Sequence, residues 1–184
     1  YHSLWLPRFD IETQVDGTTK RYGMESVYSM LKKPPATILD HGETIRELVD
    51  LITQSNTVKE KHLHFDVEAF IIEWVRRDLL NIAFGNSDNH GRNTSFYKDD
   101  IPRTTKWAAP DLELGGKFNF IEIAYSLSDL IDPELLINEL RTTAHQLVGL
   151  KQRLIDRGVP DQIVNMPTFG FDFLDEKLKQ WELL

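Results

Sequence analysis

The sequence predicts a mostly helical α+β domain, and three observations carry that reading. Apolar residues recur at helical spacing over several long stretches, short β-favouring runs are bounded by Gly, Asp and Pro, and 41% of the 184 residues are hydrophobic, enough to fill one core. There is no internal repeat, no low-complexity tract and no linker, so residues 1–184 read as a single domain. With 21 Lys and Arg against 29 Asp and Glu the formal charge is −8, which argues against broad binding to nucleic acid or to anionic membranes. The absence of Cys excludes disulfides, thiolate catalysis and Cys-ligated zinc, and is compatible with a reducing compartment. No apolar run approaches the roughly 18 residues of a membrane span. The opening Tyr1-His2-Ser3-Leu4-Trp5-Leu6-Pro7-Arg8 lacks a basic leader, so the expected location is the cytoplasm. The chain starts without Met, and the expectation is that it belongs to something longer.

In order along the chain, Leu4 to Ile11 is rich in aromatic and β-favouring residues, and Asp16-Gly17 offers a turn before Thr18 to Tyr22; a hairpin is predicted. A helix is expected from Met24 to about Lys33, stopped by Pro34-Pro35. Ile45, Leu48, Val49 and Ile52 stand at i, i+3, i+4 and i+7 of a second helix. Asp66 suits the N-cap of a long third helix carrying Val67, Phe70, Ile71, Trp74, Val75, Leu79, Ile82 and Ala83, whose wide apolar coverage makes it central, with Gly85 to end it. Thr94 to Tyr97 and Thr105 to Trp107 read as short strands, with Gly115-Gly116 as a further break. Asp132-Pro133 opens a helix running through Leu136, Leu140, Leu147, Leu150 and Leu154 to a Gly158 stop, and Phe171, Leu174, Leu178 and Trp181 mark a terminal amphipathic helix.

The unusual segment is 85–93, Gly-Asn-Ser-Asp-Asn-His-Gly-Arg-Asn, wholly polar or Gly and placed directly behind the central helix. Such a loop can be structural, with Asn and Asp capping the helix and building turns. Its spacing admits a second reading. Asp88 stands five residues before Asn93 with Arg92 between, the order Asp-x-x-x-x-Asn of phosphoryl-transfer catalytic loops. There the carboxylate accepts the proton of an attacking hydroxyl, the Asn carbonyl is a hard metal ligand, and a cation steadies the phosphoryl charge. An anionic ligand must come from a later segment, and Ala109-Pro110-Asp111-Leu112-Glu113 supplies candidates.

These residues resemble the HipA-like serine/threonine kinases of bacterial toxin–antitoxin systems. Gly85 to Asn93 looks like the family's Gly-Asn-x-Asp-x-His-x-Lys-Asn loop, Pro7-Arg8-Phe9-Asp10 looks like its Arg-Phe-Asp hinge, and Ala109-Pro110 with the following acid looks like its Ala-Pro-x-Tyr-Asp metal segment. The resemblance covers about residues 4–155. It implies a protein-kinase-like C-lobe with ATP and Mg²⁺ as cofactors, Asp88 as base, Arg92 and His90 near the phosphates, Asn93 as metal ligand, and Pro7, Arg8 and Phe9 at the adenine edge. Leu112 takes the Tyr position beside the nucleotide. Glu113 takes the metal-binding Asp position, with Asp111 the alternative after a two-residue shift. Arg92 replaces a Lys and Glu113 is one methylene longer than Asp, so the second metal ligand departs from the family pattern.

A kinase also needs an N-terminal lobe with a Gly-rich loop and a strand Lys, and no Gly-rich phosphate loop occurs in these residues, so the expected partner is that lobe in cis or in trans. Resemblance further implies a protein substrate with a Ser or Thr and an antitoxin partner. Direct nucleic-acid contact by this piece and membrane contact are not expected. Two other readings stay open: a kinase-like interaction module without catalysis, and a metal-dependent phosphoesterase built on Asp88-Asn89-His90. Elsewhere, His62 and His64 read as surface residues, Arg76-Arg77 as a solvated or loop-pairing edge, and Trp181 as core.

Overall fold

A computed structural model describes residues 10–22, 24–55, 58–59, 64–86, 95–96, 105–106, 112–114 and 117–184. The hairpin is present: β1 (Ile11–Thr13) pairs antiparallel with β2 (Thr19–Arg21), Ile11 opposite Arg21. Asp16 shapes the turn by accepting from the Thr18 amide at 2.9 Å and hydroxyl at 2.6 Å, and Gly17 takes φ +82°. The stretch from Leu4 to Phe9, expected in its first arm, lies outside the described residues.

The helix expected from Met24 to Lys33 is much shorter. Glu25–Ser26 form β3 and only Val27–Met30 are helical, as α1, with the Ser26 hydroxyl accepting from the Ser29 amide at 3.2 Å. Glu25 and Ser26 are instead claimed by β5 (Ser95–Phe96), a pairing 70 residues away in sequence that local spacing does not encode. Next come β4 (Leu39–Asp40) and α2 (His41–Thr53), whose predicted stripe is buried at Ile45, Leu48 and Val49. Asp40 caps α2 by accepting from the Glu43 amide at 2.8 Å, with Glu43 itself well placed in the first turn.

The long helix α3 (Val67–Ala83) starts where expected, with Asp66 accepting from the Ala69 amide at 2.9 Å. Ile71, Trp74, Val75, Asp78, Leu79 and Ala83 form its buried face. Strand β6 (Thr105–Lys106) pairs parallel with β4, and β7 (Glu113–Leu114) folds back antiparallel on β8 (Lys117–Phe118), leaving only Gly115-Gly116 to join the two. Helix α4 (Phe120–Ser126) is capped by Asn119, which accepts from the Glu122 amide at 3.1 Å.

The single helix expected from Pro133 to Gly158 is two. Helix α5 (Pro133–Leu147) begins at its Asp132 cap with Pro at the first turn, and α6 (Leu150–Asp156) follows a break at Val148 and Gly149. Gly149 adopts φ +65°, and its amide donates to both oxygens of Asp175 at 3.1 and 3.3 Å. The left-handed residue turns the chain and the distant carboxylate takes the amide a continuous helix would have used. Gly158 does close α6: its amide bonds the Ile155 carbonyl and the Val159 amide the Leu154 carbonyl, the Schellman pattern. Then come α7 (Asp161–Val164), a 3₁₀ turn at Phe171–Phe173 and α8 (Leu174–Gln180).

The core lies between α2, α3, α4 and α5, and α8 closes one side of it. Phe120, Ile123, Leu127, Leu136, Leu140, Leu178 and Leu183 have no exposed surface. Trp181 is core, as expected: its ring meets Phe118 edge-on at 5.7 Å and Phe120 at 5.8 Å. The observed fold is thus α+β and mostly helical, and among the described residues no helix is long and apolar enough to cross a membrane.

Candidate active site

The site is framed by α3, which points its C-terminal end at the polar loop. Phe84 ends the helix, Gly85 follows at φ +61°, the Gly85 amide bonds the Ile82 carbonyl at 3.1 Å, and the Asn86 amide bonds the Asn81 carbonyl at 2.8 Å. That double bond is a complete Schellman closure. The Asn86 side-chain amide adds a bond to the Asn81 side-chain oxygen at 2.8 Å. The chain therefore leaves α3 in a set direction.

Gly85 is required for a second reason. A Cβ there would stand 2.2 Å from the backbone carbonyl oxygen of Thr168 and 3.1 Å from Cα of Phe169. The segment before α8 is thus packed directly on the first residue of the loop, and Phe84 meets Phe171 edge-on at 6.0 Å beside it. Sequence spacing identified Gly85 as a helix stop; only the packing shows that residues 168–171 hold it.

On the far side of the loop, β5 is tied to β3, and further on β6 is tied to β4. Strand β4 runs straight into α2, and β6 precedes the segment that ends in Asp111, Leu112 and Glu113. The two strands that follow the loop in sequence are therefore both bonded to the N-terminal third of the chain. Asp88, His90, Arg92 and Asn93 lie outside the described residues, as do Pro7, Arg8, Phe9 and Asp111. Glu113 is in β7, where its backbone pairs with Phe118. Leu112, expected beside the nucleotide, is half-buried against the core, and its carbonyl accepts from the Asn119 amide at 2.9 Å.

Other sequence candidates are placed plainly. His64 is exposed, and His62 lies outside the described residues. Arg76 bonds Glu139 of α5 at 2.6 Å and Glu73 at 3.2 Å, while Arg77 bonds Glu73 at 2.6 Å, so this edge carries ion pairs. Among the described residues, no group of three or more His, Asp or Glu side chains could hold a metal ion.

Sequence reasoning missed a buried polar cluster on the same helix. The Trp74 indole N–H donates to Nδ1 of His41 at 2.8 Å, and Nε2 of His41 faces Oδ1 of Asp78 at 3.6 Å, with both His41 and Asp78 side chains about 2% exposed or less. A signal existed: Asp78 stands at i+7 of the stripe begun by Ile71, Trp74 and Val75, so helical spacing alone puts a carboxylate on the buried face.

A family model, the HipA-like C-terminal domain, matches residues 1–110, from ahead of the hairpin through the polar loop to the Ala109-Pro110 pair. No curated protein and no solved structure matches the chain. With well over half of the sequence matched, the loop motif inside the matched region and a mostly helical fold around it, the chain belongs to the HipA-like C-terminal domain family.

Proposed function

We propose that the chain is the C-lobe of an ATP- and Mg²⁺-dependent serine/threonine protein kinase, the toxin of a HipA-type toxin–antitoxin system. The observation that carries this is the Gly-Asn-x-Asp-x-His-x-Arg-Asn loop set directly behind the Schellman closure of a central helix, within the residues matched by the family. Asp88 accepts the proton of the substrate hydroxyl as that oxygen bonds to the γ-phosphorus and the bond to the leaving ADP oxygen breaks. Arg92 and His90 lie beside the phosphates, where Arg92 offsets the spreading negative charge. Pro7, Arg8 and Phe9 take the adenine edge, and Leu112 contributes an apolar surface next to it. Asn93 and Glu113, or Asp111 in its place, offer the hard oxygen donors that suit Mg²⁺. When bound, that ion supplies charge neutralisation on the phosphates.

The test uses the complete protein containing this chain. Asp88→Asn retains shape and hydrogen bonding but removes the base, so phosphoryl transfer should drop about 10²- to 10⁴-fold while ATP affinity stays within a few-fold. Asn93→Ala and Glu113→Ala should raise the Mg²⁺ requirement; a silent Glu113→Ala with an impaired Asp111→Ala moves the ligand to Asp111. Transfer unchanged in all four variants would remove the kinase reading. Residues 1–184 alone should bind Mg·ATP weakly, because only one side of the adenine site is supplied. The departures at Leu112 and Glu113 favour one second reading, a kinase-like module that binds partners without catalysis, and an inactive complete protein would support it.

A further inference from the structure

We infer that His41 is a positioning residue that fixes the loop-bearing helix α3 relative to the strand feeding the metal segment. Its functional consequence rests on the kinase reading above; its structural basis does not. Trp74 and Asp78 sit one turn apart on α3, on the face that is buried, and Asp78 precedes Gly85 by seven residues, about 10 Å of helix. His41 is the first residue of α2 and directly follows Asp40, which pairs with Lys106 of β6. A buried side-chain cluster thus joins α3, which ends just ahead of the polar loop, to the start of α2, one residue beyond the pairing with β6.

The chemistry of the cluster makes it directional. An indole N–H is a donor only, so Nδ1 of His41 must be the acceptor and the ring proton sits on Nε2, aimed at the Asp78 carboxylate. The His41 and Trp74 rings stand edge-on, 88° apart with centroids at 6.0 Å, so sliding α3 along α2 costs both the hydrogen bond and the ring contact. A purely apolar seam would tolerate a shift of this kind; a buried hydrogen bond between an indole N–H and one ring nitrogen does not.

Three variants of the full chain separate this from ordinary core packing. His41→Phe fills the space without donor or acceptor, His41→Gln places an acceptor and a donor on one amide, and Trp74→Phe removes the N–H together with part of the indole ring. Amide hydrogen exchange is read at residues 81–86 and 105–106 against the α5 amides as an internal control. The expected result is at least tenfold faster exchange at both reporter segments in His41→Phe and Trp74→Phe, little change in α5, and recovery in His41→Gln. Uniform acceleration along the chain, or a Gln variant as impaired as Phe, would overturn the proposal, as would a wild-type His41 ring found protonated on Nδ1 by nitrogen-detected NMR at neutral pH. In the complete protein, His41→Phe should lower kcat at least tenfold with KM for ATP within threefold, and Gln should restore it. If the wild-type protein transfers no phosphate the kinase reading fails, and the exchange result still decides the role of His41.

Discussion

Gly85 shows how one residue can serve two masters. Its left-handed φ closes α3, and its missing side chain admits the Thr168 carbonyl. Gly85→Ala should therefore cost about 1–2 kcal/mol for the left-handed backbone alone, with a further penalty because the clashing atom is backbone and cannot rotate away. For a domain of this size a loss of about 2 kcal/mol lowers Tm by roughly 4–8 °C, to be read by thermal denaturation; a variant as stable as wild type would show that Thr168 and Phe169 are not seated on Gly85. By contrast Gly17 has nothing within 4 Å of the same virtual atom, so Gly17→Ala should show only the backbone part of the loss.

At the scale of elements, side-chain caps set where four helices begin, and two of them, Asp66 and Asp132, were named from the sequence. Asp40, Asp66, Asn119 and Asp132 each accept from a backbone amide in the first turn of the helix they open. Asp66→Ala leaves an amide of α3 without that acceptor and should cost about 1 kcal/mol, with Asp66→Asn nearly neutral, measured by denaturant unfolding. Where elements departed from expectation, the cause was remote. Glu25 and Ser26 became strand because Ser95 and Phe96 lie beside them, and the helix after Pro133 broke because Gly149 donates to Asp175. In both cases a partner 26 or more residues away outweighed a local propensity worth a few tenths of a kcal/mol per residue.

Across the whole molecule, contacts tie the family-matched region to the remainder. Arg46 of α2 forks onto Asp129 at 2.6 and 2.9 Å and reaches the carbonyl of Ser126, the last residue of α4, at 2.7 Å. The guanidinium holds the Asp129 carboxyl below its ordinary pKa of 3.8. A depressed carboxyl stabilises above its unfolded pKa and loses that contribution as pH falls through the folded one. Both side chains are more than a third exposed, so water screens the pair and Arg46→Ala should cost only about 0.5–1 kcal/mol at pH 7. Unfolding measured as pH is lowered from 6 towards 2 should show that gap narrowing below about pH 4, towards what the Ser126 contact retains; a gap independent of pH would mean the pair contributes nothing. A fragment of residues 1–110 should not fold, because it lacks α4, α5 and α8, whose Phe120, Ile123, Leu136, Leu140 and Leu178 are fully or almost fully buried in the core; cooperative thermal unfolding of that fragment would refute this. The stripes of α2 and α3, the caps Asp66 and Asp132, the class of fold and the polar loop behind α3 were legible in the sequence, because period and capping chemistry are local properties of adjacent residues. Which strands pair, where the long helix breaks, what stands against Gly85 and which side chain meets the carboxylate of Asp78 were decided by tertiary structure alone, since each depends on a group brought close by folding from a distant part of the chain.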